Sequence, residues 1–137
     1  MTVEQVVAAA VSILLAVALV AAAAAATRAA GLAEARLSAA ASAAVLASLV
    51  SADVRESRTA SCEGNLLALD AGRVVYTYVP DPGRIVRNAV PLPYEVGSAE
   101  WSCRDRTVTG TLEVVRRLGL RTVSASSAFT AALRGEP

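Results

Sequence analysis

The sequence predicts an α+β fold: a long N-terminal α-helix, transmembrane in its first half and amphipathic in its second, packed on a small antiparallel β-sheet. Three observations carry that expectation. Residues 6–26 (VVAAAVSILLAVALVAAAAAA) form an apolar run without charge, Pro or Gly. Helix formers follow, with an apolar residue recurring every three or four positions. The rest of the chain alternates β-branched stretches with Gly- and Pro-containing turns. Three segments result: a membrane-spanning helix (1–30), its amphipathic continuation (31–58) and a small β-rich domain (59–137).

The first run holds 21 residues, and only Ser12 within it is polar. At 1.5 Å rise per residue, ~20 residues cross a hydrocarbon core of ~30 Å. A soluble core helix of this length would not be apolar on every face. Residues 21–26 offer small side chains suited to signal cleavage, but the positive flank of a secretory signal is missing. MTVEQ carries one acid and no base, and the first arginine, Arg28, comes after the run. That order fits a chain whose short basic leader has been removed, with Met1 as its first mature residue.

Beyond Arg28 the helical pattern continues to about Ser57. Leu32, Ala35, Ala39, Ala43, Leu46, Val50 and Val54 form one stripe of a 3.6-residue period. Ser38, Ser42, Ser48, Ser51 and Arg55 lie mostly off it. Gly31 is a weak point costing up to ~1 kcal/mol relative to Ala. Asp53 and Arg55 read as an ordinary solvated face at the far end of the helix.

Strands are expected next. Residues 65–69 (NLLAL) lead through Asp70-Ala71-Gly72 into 73–79 (RVVYTYV), where Tyr76 and Tyr78 share a face and read as core or edge packing. Pro80-Asp81-Pro82-Gly83 turns the chain back into 84–88 (RIVRN). Two prolines make 90–97 (VPLPYEVG) a loop or irregular edge. Residues 107–115 (TVTGTLEVV) form the clearest late strand, with Val108, Gly110, Leu112 and Val114 on one face. Residues 124–133 (SASSAFTAAL) fit a strand or a short helix.

Cys62 and Cys103 both follow the apolar run. In an exported domain they would pair; in a cytosolic one they would be buried thiols. A domain of roughly 80 residues is near the size where a core alone is marginal. Closing a loop of about 40 residues contributes ~3–4 kcal/mol in the chain-entropy model. Trp101, beside Ser102 and Cys103, reads as packing on that disulfide.

Chemistry is sparse. All 13 basic residues are Arg, with no His and no Lys, against 12 acids, for a net charge of +1. A His general base, a Lys nucleophile and imidazole metal ligands are therefore excluded. The cysteine spacing is not that of a metal site, and no Gly-rich phosphate loop occurs. No enzyme and no cofactor are expected. The close basic pairs Arg104/Arg106 and Arg116/Arg117 make no nucleic-acid surface.

The MTVEQ start, the apolar helix, the amphipathic extension and the small β domain together resemble the type IV pilin superfamily. The order Ala52-Asp53-Val54-Arg55, then Val75-Tyr76-Thr77-Tyr78, then Arg84-Ile85-Val86-Arg87-Asn88 is similar to minor pilins and J-type minor pseudopilins. The resemblance implies a filament subunit that sits first in the inner membrane, with its C-terminal domain exported, and later in a periplasmic or extracellular filament. It implies other pilin subunits, an inner-membrane assembly platform and a prepilin peptidase/methyltransferase as partners. It also implies a methylated amine at Met1 and attraction between Glu4 and the amine of a neighbouring subunit. A carboxylate is costly in a lipid-like setting, and an ammonium partner offsets that cost. Glu4 stands fourth from Met1, where the family places its acid fifth. From the residues alone, Glu4 in the first turn favours the helix dipole, and Thr2-x-x-Gln5 has capping-box spacing. Two further readings stand beside the filament subunit: a single-span anchored domain that binds a partner in an envelope or secretion complex, and a secreted β domain whose first ~26 residues are a signal peptide.

Overall fold

The computed structural model describes residues 2–135. They form two compact units, one ending at Glu34 and the other beginning at Ala35. A single helix, α1 (Val3–Glu56, 54 residues), forms the first unit and opens the second. The chain thus has one long apolar N-terminal helix followed by antiparallel strands, an α+β fold.

The first unit begins with a reciprocal cap. The Thr2 amide donates to Gln5 Oε1 (3.1 Å) and the Gln5 amide donates to Thr2 Oγ1 (3.3 Å), so two orphan donors of the first turn are satisfied. No Pro interrupts the Ala-rich run that follows. Every Val, Ile and Leu from Val3 to Val20 is exposed. This helix is long and apolar enough to cross a membrane.

In the second unit α1 buries Ala39, Ser42, Ala43, Leu46, Ala47, Val50, Ser51 and Val54. The expected stripe is there, but it is wider: Ser42 and Ser51, expected off it, are buried. The reason is that the helix faces two sheets. Its residues share one core with Leu67, Leu69, Tyr76 and Ile85 from one sheet and with Trp101, Val108, Leu112 and Phe129 from the other.

The first sheet is an antiparallel meander of β1 (Ala60–Glu63), β2 (Leu66–Leu69), β3 (Val74–Val79), β4 (Arg84–Arg87) and β5 (Val90–Pro91). The second is a meander of β6 (Val96–Arg104), β7 (Thr107–Leu118) and β8 (Arg121–Ala132). Residues 90–97, expected as loop or irregular edge, contribute β5 and the start of β6. Residues 124–133, open between strand and helix, belong to β8 up to Ala132. Val108, Gly110, Leu112 and Val114 are all buried on one face of β7. Phe129 lies opposite Gly110, and a Cβ at Gly110 would collide with its ring.

Candidate functional site

Two features hold the sequence-predicted residues: the apolar helix of the first unit, and a polar clasp around Asp53 in the second. On the first, Glu4 stands exposed in the opening turn of α1. The cap there is made by Thr2 and Gln5, not by Glu4. Met1, the other residue assigned to subunit contact, lies outside the described residues. Toward the end of the run Thr27 Oγ1 donates to the Ala23 carbonyl (2.9 Å). Its hydroxyl is thereby satisfied within the helix, as an apolar environment requires.

The clasp corrects the reading of Asp53 as a solvated residue. Its carboxylate accepts a hydrogen bond from the Tyr76 hydroxyl. It also takes both arms of Arg87, from Nε at 3.0 Å and from the terminal nitrogen at 3.3 Å. Arg87 Nε lies 3.3 Å from the Tyr76 hydroxyl, and the guanidinium carbon lies 6.0 Å from the centre of the Tyr76 ring. Tyr76 and Arg87 are direct cross-strand partners of β3 and β4, so antiparallel register puts both side chains on the face toward the helix. Arg55, the other residue expected on the solvated face, is exposed.

Burial makes this triad more than a surface contact. The Asp53 side chain is 14% exposed and that of Arg87 35%, while Tyr76 is completely buried. Burial first, then the bond to Asp53 and its charge, push the Tyr76 phenol well above its ordinary range. The hydrogen bond to Asp53, then that to Tyr76, raises Arg87 above an already high value. Tyr76 is thus a neutral phenol and Arg87 a guanidinium at physiological pH, and the bonds they make to Asp53 fix the helix against β3 and β4.

Just beyond, Ser57 closes the helix. Its hydroxyl donates to the Asp53 carbonyl (2.7 Å), and its own carbonyl accepts the Arg134 amide (2.7 Å). Asp70 then gathers the chain leaving α1: it accepts from the amides of Arg58 (2.7 Å) and Thr59 (3.2 Å) and pairs with Arg73. The Arg58 amide is the main cause of its lowered pKa.

Cys62 on β1 and Cys103 on β6 form a disulfide with Cα atoms 5.6 Å apart. It joins the two sheets. Trp101, two residues from Cys103 on the same strand face, has Tyr76 and Phe129 as ring neighbours at 6.1 and 6.4 Å. Its indole donates to the Asn65 carbonyl (3.2 Å). The tryptophan expected against the disulfide therefore sits in an aromatic row. Tyr78, on the same strand as Tyr76, donates to the Gly97 carbonyl at 2.8 Å and ties the first sheet to β6.

Among the described residues no group of three His, Cys, Asp or Glu side chains could hold a metal ion. No family model, curated protein or solved structure matches this chain.

Proposed function

We propose that the chain is a structural subunit of a type IV filament system, a minor pilin or J-type minor pseudopilin, that assembles through its N-terminal helix. The observation that carries this reading is the use made of α1. One uninterrupted helix exposes every large apolar side chain from Val3 to Val20 and buries one side from Ala39 to Val54. A segment of the first kind gains nothing from its own fold. It is completed by lipid, and then by neighbouring helices, whose approach the many Ala residues permit.

The exported location of the β domain is part of the proposal, and the disulfide supports it, since such bonds persist in oxidising compartments. In this reading the inner membrane holds the subunit before assembly, and the assembly platform and the processing peptidase/methyltransferase act on it there. Glu4 would meet the amine of the next subunit. The clasp would keep the domain at a fixed place on the helix while the apolar half changes surroundings.

The test is Glu4→Val. Membrane insertion should survive, because the substitution only adds apolar surface, whereas recovery in sheared filaments should fall to background. Normal entry into filaments would sink the role of Glu4. A wild-type chain found in no filament, and stable as a monomer in the membrane, would leave the anchored partner-binding domain as the better reading.

A further inference from the structure

Strand β8 is a long open edge. It pairs with β7 alone, from Thr107↔Ala132 to Leu118↔Arg121, and stands last in its sheet. After Arg121 its residues (TVSASSAFTAA) contain no charge, no Pro and no bulge, and the next charge is Arg134. Edge strands ordinarily carry such guards, because a row of unpaired N–H and C=O groups templates another strand. The other edges of the two sheets are guarded. β5 is two residues long and runs into Pro91-Leu92-Pro93. β1 and β6 lie side by side and are locked by Cys62–Cys103.

The open edge also has a chemical character. Its outward side chains, Thr122, Ser124, Ser126, Ala128, Thr130 and Ala132, are small and exposed, so a second backbone can approach closely. Both ends are cationic. Arg121 stands at one end, with Arg116 one strand in, where it donates to Ser42 Oγ (3.2 Å); at the other end are Arg134 and Arg106, whose guanidinium donates to the Arg134 carbonyl (2.6 Å). Arg117 is already taken by Glu95 at 2.7 Å. Glu113 stands opposite Ser126, one strand in, which leaves the ends, not the middle, as the place for a partner's carboxylates.

We propose that β8 receives an extended segment of a different polypeptide as a fourth strand of this sheet. That segment is uncharged over about ten residues, with a carboxylate at each end. A second copy of this chain fits poorly. Antiparallel pairing of two whole β8 edges sets Arg121 of one opposite Ala132 of the other, with Arg134 on the adjoining diagonal at both ends, and like charges so close disfavour the pair. The edge belongs to the second unit alone, so the proposal stands apart from the filament reading.

The test uses the full chain in detergent micelles. Two labelled peptides of about ten alternating Val and Thr residues serve as probes, one closed by Asp at both ends and one by Lys. Fluorescence anisotropy should show the Asp-ended peptide binding at least about fivefold more tightly, the worth of two exposed ion pairs. Ser126→Lys with Ala128→Lys should abolish binding while the melting temperature of the domain stays put; Thr130→Lys is the independent second guard. Arg121→Glu should narrow the difference between the peptides. Absence of binding to the folded wild type, or binding that ignores the lysines, overturns the proposal. So does concentration-dependent self-association that the lysines remove, since it would assign the edge to a second copy.

Discussion

The two halves of α1 are built from the same alanine-rich material and end in opposite circumstances. Leu15 is 60% exposed and Leu19 71%, whereas Leu46, Val50 and Val54 are fully buried. Helix propensity does not separate them, because Ala dominates both. What differs is the destination of the apolar area. At ~25 cal/mol per Å², burial against the two sheets stabilises the second half within the chain, while the first half retains that driving force for its surroundings. One half is a structural part of the domain; the other presents its apolar area outward, on a helix long and apolar enough to cross a membrane.

The sharpest way to test this division is to break the domain and watch the helix. Replacing Cys62 and Cys103 by Ala opens a loop spanning 41 residues of sequence separation, a loss of ~4 kcal/mol in the chain-entropy model. In micelles the near-ultraviolet signal of Trp101 should melt at a much lower temperature. The far-ultraviolet helical signal of the first unit should persist through that melt. If both vanish together, the two halves are one cooperative structure and the comparison fails. Next in size is a matched pair of truncations. Leu46→Ala empties a fully buried site and should cost ~3 kcal/mol. Leu15→Ala, on the exposed half, should leave the domain melt where it was. Equal shifts would mean that the first half packs on the domain after all.

The sequence made this division legible because it rests on periodicity, which is local. So do the strands 74–79 and 107–118, with their β-branched runs, and the turn at Pro80–Gly83. β6 escaped notice because Gly97, Ser98 and Glu100 are poor strand formers and the register shifts between Val96 and Ser98. Its hairpin turn, Asp105-Arg106, has positive φ at both residues but no glycine to announce it. The clasp was hidden for another reason. Asp53, Tyr76 and Arg87 meet only through the register of β3 with β4, which no local pattern encodes. A signal did exist: Asp53 lies three residues after Val50 and seven after Leu46, so a charge falls beside the buried stripe, where it needs a partner.

That partner can be removed. Asp53→Ala leaves a half-buried guanidinium and a buried phenol without their acceptor, and should destabilise the domain by ~2 kcal/mol. A melt unchanged from wild type would show that the clasp contributes nothing to holding the helix on the sheets.

The finest probe is the hydroxyl of Tyr76. Tyr76→Phe deletes the hydroxyl that donates to Asp53 and accepts from Arg87, and should cost ~1 kcal/mol at neutral pH. The pH dependence carries more information. In the unfolded chain the phenol releases its proton near the ordinary value of 10.0; in the fold, burial and the Asp53 carboxylate hold the proton on to higher pH. The folded pKa is therefore raised. Its contribution is complete below pH 10 and is lost as pH climbs toward the folded value, at up to ~1.4 kcal/mol per pH unit. Wild type should thus lose stability above pH 10 more steeply than Tyr76→Phe, with Tyr78 and Tyr94 common to both. Denaturant melts at pH 9, 10 and 11 measure the two slopes. Identical slopes would mean that the phenol titrates freely in the fold and that Asp53 holds Arg87 alone.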